Sequence, residues 1–587
     1  LKPKRMLRDY IKSKWHVYGF AILLIAAGNA IQSYYPRLLG SFTDRLQQGS
    51  LSHGTIVDYS LRLLAVGVAF GVLAGAGQYV VMRLGRLYEF DMRKKLFAHF
   101  TTLSERFYSK NGVGKLLSYV MNDVTAVRES ISMGINQTTN ATILILSAIV
   151  MMTLSDIPLY LVFVCVLPLL LIPWIVTRFG PVIRKRSLSV QDSLGKMTES
   201  AEEQFGGIRV TKKFAAEETM NRRFGEAVDR IRDSQLRLVR VSSLFQAIIP
   251  FLGALSMIVT IAYGGYLTIR HTITLGNFVE LTLYIRLMVA PLQQIGNVIN
   301  TMQRSRASLE RIGDLMAVEP DIRESDGARH RSLDQAAVSI RHLSFAYPDA
   351  ERSSLRDISL DIPPGRTLGI LGKTGSGKTT LVKLLLRAYD PPPGTIRLAG
   401  ADIRDLTLES LRDQIAYVPQ EGFLFSTTIR DNIAFYKRDT ALPTVEKAAK
   451  QAQIYGSIAE LPESFDTRLG ERGVTLSGGQ RQRTGLARGL IKDAPVLIMD
   501  DSVSAVDAVT EKRIIDGIRK ARKGKTTIII AHRISALKHA DEIVVMDEGR
   551  IVQRGTHLEL LAQTGLYATL HAIQEEGGRE DAEPTAR

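Results

Sequence analysis

Apolar positions follow two regimes along the chain. Over the first part they form long, nearly unbroken runs, near 16–38, 61–82, 136–155, 157–178, 245–269 and 277–299. A hydrocarbon core of about 30 Å takes about 20 helical residues to cross, and each run is of that order. The third and fourth are the clearest, ATILILSAIVMMTL and LYLVFVCVLPLLLIPWIV, with only Ser155-Asp156-Ile157-Pro158 between them. One such run would also suit a buried core helix. Six in series predict a membrane domain.

Two long polar stretches, 83–133 and 178–244, separate the second run from the third and the fourth from the fifth. They are too long for structureless connections. Segments such as YEFDMRKKLFAHFTTLSERF and SVQDSLGKMTESAEEQF mix apolar positions at helical spacing with charge, which predicts extensions of the spans into the aqueous phase. Glycine breaks each one, at Asn111-Gly112-Val113-Gly114 and at Gly206-Gly207. Either a short crosswise helix or an ordinary turn fits such a break. Within the spans stand Asn29, Glu280 and Arg286. Glu280 and Arg286 do not share a helical face, so they are not paired, and both helix packing and a substrate path remain open for them.

The second regime starts after a loose stretch, Glu319-Pro320 to Gln335. Val338–Tyr347 alternates as a strand does, and the short runs RTLGILG, VLIMD, TTIIIA and EIVVMD recur between helical segments. That pattern predicts an α/β domain with a largely parallel sheet. The expected division is a membrane domain over 1–320, a linker over 321–337, an α/β domain over 338–575 and a polar tail over 576–587.

Composition narrows the function. A chain of 587 residues, 45% of them hydrophobic, is no small module, disulfide scaffold or disordered polymer, and the lone Cys165 has no partner in the chain. The net charge of +16 would suit nucleic acid or a membrane surface. Residues 1–320 carry 37 basic and 22 acidic side chains, whereas the remainder carry 38 and 37. The surplus thus belongs to the half with the long apolar runs, which argues against a nucleic-acid partner. Residues 1–14 hold six Lys and Arg, 83–133 nine and 178–244 fourteen, while the alternate loops hold Arg45, none and Arg270. The positive-inside rule then puts both termini and both long loops in the cytoplasm of a multi-pass cytoplasmic-membrane protein. No cleavable signal is expected, since the basic start runs straight into a full-length span.

The chemistry begins at Gly372-Lys373-Thr374-Gly375-Ser376-Gly377-Lys378-Thr379, a G-x-x-x-x-G-K-[ST] match between the expected strand Thr367–Leu371 and helix Thr380–Leu386. Glycines let backbone N–H groups wrap phosphates at a helix N-terminus. Lys378 is suited to the β- and γ-phosphates, and Thr379 to Mg²⁺. Asp500 ends the expected strand Val496–Met499, where a carboxylate suits Mg²⁺ coordination through water.

Further motifs follow in order: Tyr347 in FAYP, Gln420 in YVPQ, Leu476-Ser477-Gly478-Gly479-Gln480, Ser504-Ala505-Val506-Asp507, and His532 in AHR. With them the chain resembles, over nearly its whole length, a half-transporter of the type IV exporter group of ATP-binding cassette (ABC) proteins. It is similar to the BmrC-like subunits of heterodimeric bacterial multidrug exporters. The resemblance implies an α-helical six-span transmembrane domain followed by an α/β P-loop cassette that binds ATP and Mg²⁺. It implies that Tyr347 stacks on adenine and that Gly372–Thr380, including Thr380 itself, hold the nucleotide. Gln420 would contact Mg²⁺ or the attacking water, and His532 would act as the γ-phosphate switch. Ser477, Gly478, Gly479 and Gln480 would bind ATP held by a partner cassette, with Asp507 in the same nucleotide-binding set. The glycine breaks near 111–118 and 205–216 would be coupling helices. Residue chemistry points the same way: a phosphate loop and a serine-glycine helix start both favour γ-phosphate, so two chains sandwiching two ATPs is a natural solution.

One position departs from the family. Asp501 stands where active members have the Glu that polarises the attacking water. Its side chain is one methylene shorter, by about 1 Å, and a misplaced general base forfeits much of a contribution of about 10²–10⁴-fold. ATP on this chain's own loop is therefore expected to be hydrolysed slowly, unless Asp501 repositions. An intact LSGGQ beside a weak base is the pattern of one half of a heterodimer, so a heterodimer is preferred to a homodimer. The expected function is ATP-driven export of small amphipathic or drug-like compounds across the bilayer. A homodimeric lipid flippase and an ATP-gated sensor are the alternatives. An importer is disfavoured because its membrane and cassette parts are usually separate chains, and no leader-peptide processing is expected, since no N-terminal peptidase domain stands in the sequence.

Overall fold

A computed structural model describes residues 3–50, 52–331, 336–470, 473 and 476–580. Residues 332–335 of the expected linker and 581–587 of the expected tail lie outside the described residues, while 576–580 continue the final helix, Leu566–Glu580. The chain separates into two compact units, Leu1–Thr102 with Tyr108–Glu319, and Leu103–Phe107 with Pro320–Arg587.

The first unit is all helical. Among the described residues, six helical stretches are long and apolar enough to cross a membrane: Trp15–Gln47, His53–Thr102, Val113–Leu154, Leu159–Gly206, Glu217–Ile269 and one from Leu275. Several exceed the thickness of a bilayer: His53–Thr102 is one helix of 50 residues and Leu159–Gly206 one of 48. Their polar halves keep the helical spacing of the apolar halves, so nothing stops the helix at the end of the run. Leu161, Cys165, Leu169 and Ile172 face inward and pack with Leu252, Leu281 and Tyr284, whereas Phe163, Leu167, Leu170 and Trp174 of the same helix are exposed. In water such an outer face would be a large unfavourable patch; against lipid tails it is a solvent match. Two of the three polar residues named in the spans turn inward, while Arg286 is exposed. Glu280 is buried and accepts a hydrogen bond from Ser155 Oγ at 2.5 Å, and Asn29 is fully buried. A Cβ at Gly276 would run into the carbonyl of Gly40, so the helices Tyr35–Gln47 and Leu275–Met316 touch backbone to backbone there.

Among the described residues the second unit holds ten strands. β1 (Val338–Phe345), β2 (Leu355–Ile362), β4 (Ile396–Leu398) and β5 (Ala401–Asp402) form an antiparallel sheet in the order β2-β1-β4-β5. β3 (Thr367–Gly372), β6 (Ile415–Val418), β7 (Val496–Asp500), β8 (Thr526–Ile530), β9 (Glu542–Asp547) and β10 (Arg550–Gly555) form the second, in the order β10-β9-β3-β8-β7-β6. Only the β9–β10 hairpin is antiparallel there. β7 and β8 are buried at every position, as strands covered on both faces must be. One core fills the space between the sheets, with Leu343, Ile358, Leu381 and Ile498 at its heart. The other lies under helices, with Ile433, Leu486, Leu497 and Ile514. Part of the expected linker already belongs to this unit: the Arg329 N–H donates to the Asp405 carbonyl at 2.9 Å.

Candidate functional site

The strand order places the chemistry. β3, β8, β7 and β6 are parallel neighbours, so whatever follows their C-terminal ends comes together at one edge of the sheet. β3 ends at Gly372 and opens the phosphate loop, β7 ends at Asp500 with Asp501 next, and His532 and Gln420 each stand two residues beyond their strands. Lys378, Thr379, Gln420, Asp500, Asp501 and His532 accordingly line one cavity of 540 Å³.

The loop's shape depends on glycine at two points. Gly375 and Gly377 have φ of +83° and +99°, and a Cβ on Gly377 would sit 2.7 Å from the Ser354 carbonyl. The helix then starts at Lys378, two residues before the expected Thr380, and ends at Leu385. Lys378 Nζ donates to the carbonyls of Gly372 and Lys373, both at 2.8 Å. Burial pushes its pKa down, opposed by the charges of Asp500 and Asp501. Ser376 is buried beneath the loop and Thr374 lines the cavity.

Asp500 tests whether a divalent cation fits. It is 2% exposed, and its Oδ2 has no hydrogen-bond partner. Burial raises its pKa; the Thr379 hydroxyl counters that, Asp501 adds to it, and Lys378 and His532 oppose it. A buried carboxylate oxygen left without a partner, beside a threonine hydroxyl at a phosphate loop, is a donor set of the kind Mg²⁺ takes. Asp501 differs in its backbone. It sits at φ +47°, a costly conformation for an Asp, pinned by three bonds. Its N–H donates to the Ile530 carbonyl at 2.8 Å, and its own carbonyl accepts from Ser504 Oγ at 2.9 Å and Gln482 Nε2 at 3.1 Å. The carboxylate accepts a long bond of 3.4 Å from Gln420 Nε2.

Tyr347 reaches the site through its hydroxyl, which donates to Thr380 Oγ1 at 3.1 Å, while its ring packs edge-on against Tyr389. The remaining expected residues stand elsewhere. Ser477 and Gln480 close a capping box on the helix Gly478–Leu490, and Gly478 lines a second cavity of 510 Å³ that shares Gln420 with the first. A Cβ on Gly479 would come 2.9 Å from the Ala505 carbonyl. Asp507 caps the helix Ala508–Ala521 by accepting from the Thr510 N–H at 2.9 Å, a bond that lowers its pKa. None of these lines the phosphate cavity. The sequence reading missed the opposite wall, where Arg352, Ser354, Arg356, Glu548 and Gly549 stand. Arg356 N–H donates to the Gly549 carbonyl, and Gly549 N–H to the Ser376 carbonyl, so this wall is stitched to the phosphate loop. Gln482 was missed too, although it stands only two residues beyond LSGGQ.

With this geometry in place, similarity to known proteins decides the family. The ABC transporter transmembrane region model matches residues 18–292, and the ABC transporter model matches residues 355–504. The chain is 36% identical, over 97% of its own length and 98% of the relative's, to the probable multidrug resistance ABC transporter ATP-binding/permease protein YheI of Bacillus subtilis. The chain belongs to the ABC transporter family. It is also 32% identical to the ATP-dependent lipid A-core flippase of Thiobacillus denitrificans, over 97% of each chain. Its fold matches the structure of a bacterial Atm1-family ABC exporter with ATP bound, at a TM-score of 0.79 and 26% identity over 98% of this chain and 99% of the other. The architecture is that of a type IV ABC exporter half-transporter: a six-helix membrane domain followed by an ATP-binding cassette. As an ABC exporter the chain is a multi-pass membrane protein and an ATP-hydrolysing transport ATPase of a family that works as dimers.

Proposed function

We propose that this half-transporter is one subunit of a heterodimeric exporter of amphipathic, drug-like compounds, and that the ATP site on its own phosphate loop is the slow one. The observation that carries this is the pinned backbone of Asp501. A shorter acid could recover the reach of Glu only by moving its Cα, and three hydrogen bonds and a left-handed φ oppose that shift. The base therefore stays about 1 Å short, enough to cost about 10²-fold.

In this reading Tyr347 stacks on adenine, Gly372–Thr380 wrap the phosphates, and Lys378 exchanges its loop carbonyls for β- and γ-phosphate oxygens. Thr379, Gln420 and Asp500 would hold Mg²⁺, which offsets phosphate charge when bound. His532 contacts the γ-phosphate. Ser477–Gln480, with Asp507 beside them, act on ATP held by the partner's loop, where the competent base would stand. Their position outside the phosphate cavity supports a role in trans. ATP binding closes the cassettes, and segments 111–118 and 205–216 pass the movement to the spans. Both termini face the cytoplasm, as the loop charges require.

A homodimeric lipid flippase is the second reading, favoured by the 32% identity to a lipid A-core flippase. Co-purification of the full chain from its host, followed by ATPase assay with Asp501→Glu, separates the two. A second half-transporter should co-purify, and Asp501→Glu should raise own-site turnover about tenfold or more. A pure homodimer with an ordinary exporter rate and no response to Asp501→Glu would overturn the proposal.

A further inference from the structure

The chain leaves β8 at Ile530 and re-enters regular structure only at a short 3-10 turn from Ile534. Between them the Ala531 N–H still donates to the Ile370 carbonyl of β3 at 3.2 Å, and beyond it a side chain supplies partners to the backbone. Gln574, on the C-terminal helix Leu566–Glu580, donates through Nε2 to the His532 carbonyl at 2.7 Å and accepts through Oε1 from the Ile534 N–H at 2.9 Å. One amide thus bridges the loop across Arg533. The inner side is held by Glu511, 2% exposed, which accepts from Arg533 Nη1 at 3.2 Å and Ser535 Oγ at 2.5 Å.

The clamp is itself aimed. Tyr567, seven residues before Gln574, is fully buried and shares a 2.7 Å hydrogen bond with His557 Nδ1, and its N–H donates to Gln553 Oε1 at 2.9 Å. Residues seven apart lie on one helical face, so the buried tyrosine fixes the direction of the glutamine. A planar amide using both its oxygen and its nitrogen on one loop sets the loop's orientation as well as its distance.

We infer that Gln574 is a positioning residue for His532, and that the C-terminal helix thereby acts on ATP turnover without touching nucleotide. The inference rests on the assignment of His532 to the γ-phosphate. Gln574→Glu keeps the size and the acceptor but turns a carboxylate oxygen toward the His532 carbonyl. Gln574→Met removes both bonds at similar volume.

The test uses the full chain in lipid nanodiscs, in the assembly in which it purifies, with Asp501→Glu so that its own site turns over. His532→Ala is measured alongside and should lower kcat more than about tenfold. Both Gln574 variants should lower kcat about three- to tenfold, with the KM for ATP within about twofold and thermal unfolding unchanged. If His532→Ala lowers kcat while both Gln574 variants turn over normally, the inference is wrong and the site assignment stands. If the Gln574 variants lose thermal stability with kcat intact, the glutamine only anchors the helix, and the inference is again wrong. If His532→Ala changes nothing, the γ-phosphate assignment fails and takes the inference with it.

Discussion

Each unit buries a carboxylate almost completely, and the two are handled in opposite ways. Glu280, 3% exposed among the membrane helices, takes a short hydrogen bond from Ser155 and lies against the Gly40–Gly276 approach. Asp500, 2% exposed in the cassette, keeps an oxygen with no partner and stands beside Lys378 and Thr379. Burial alone therefore does not mark a functional acid. A buried acid satisfied from within the fold holds helices together, whereas one left partly unsatisfied in a cavity awaits a ligand.

The sharpest way to break that contrast is Asp500→Asn. The amide keeps the volume and removes the charge, so the cassette should fold while Mg²⁺-dependent turnover at this chain's own site, measured with Asp501→Glu in place, falls about 100-fold or more. Steady-state ATPase against Mg²⁺ concentration, with thermal unfolding as control, reads both. Turnover within a few-fold of the parent would mean that Asp500 is as structural as Glu280.

Acidity gives a smaller and graded effect. Burial raises the Asp500 pKa, and Mg²⁺ binds the ionised form, so protons compete with the ion at a higher pH than for an ordinary aspartate. As pH falls through that raised pKa, the Mg²⁺ concentration for half-maximal activity should climb, by at most about tenfold per pH unit. Lys378 works from the other side: burial lowers its pKa, so rising pH removes its charge earlier than for an exposed lysine and weakens ATP affinity. A pH series of Mg²⁺ titrations separates the limbs. A Mg²⁺ requirement that never climbs with acidity, down to the lowest pH at which the chain stays folded, would argue against Asp500 as the ligand.

What could be read from sequence follows the same division. The phosphate loop is legible because its chemistry needs contiguous residues: glycines at positive φ, then lysine and threonine on the first helical turn. The six spans are legible because lipid demands length and apolarity from each segment alone. The far wall of the cavity is not, because Arg352–Arg356 and Glu548–Gly549 meet only where β2 and the β9–β10 hairpin come together. Gln482 and Gln574 look like any polar helix residue until their partners, Asp501 and His532, are seen across the fold. Glu280 stood open between helix packing and a substrate path for the same reason: Ser155 is 125 residues away, in a turn that sequence marks only as a break.

Glu280 gives the smallest expected effect and the finest test of the contrast. Glu280→Gln keeps an acceptor for Ser155 and nearly the same volume, so stability should change by about 1 kcal/mol or less. Glu280→Ala removes the acceptor and opens a void among packed helices, and should cost about 2–4 kcal/mol. Thermal unfolding of the full chain in detergent should rank them in that order, with the Mg²⁺ dependence of ATPase unaltered in the folded fraction of each. The opposite result would be a Glu280→Gln protein of full stability whose Mg²⁺-ATPase no longer responds to transported compounds. Charge at Glu280 would then matter beyond packing, and the membrane acid would have to be moved to the same side of the comparison as Asp500.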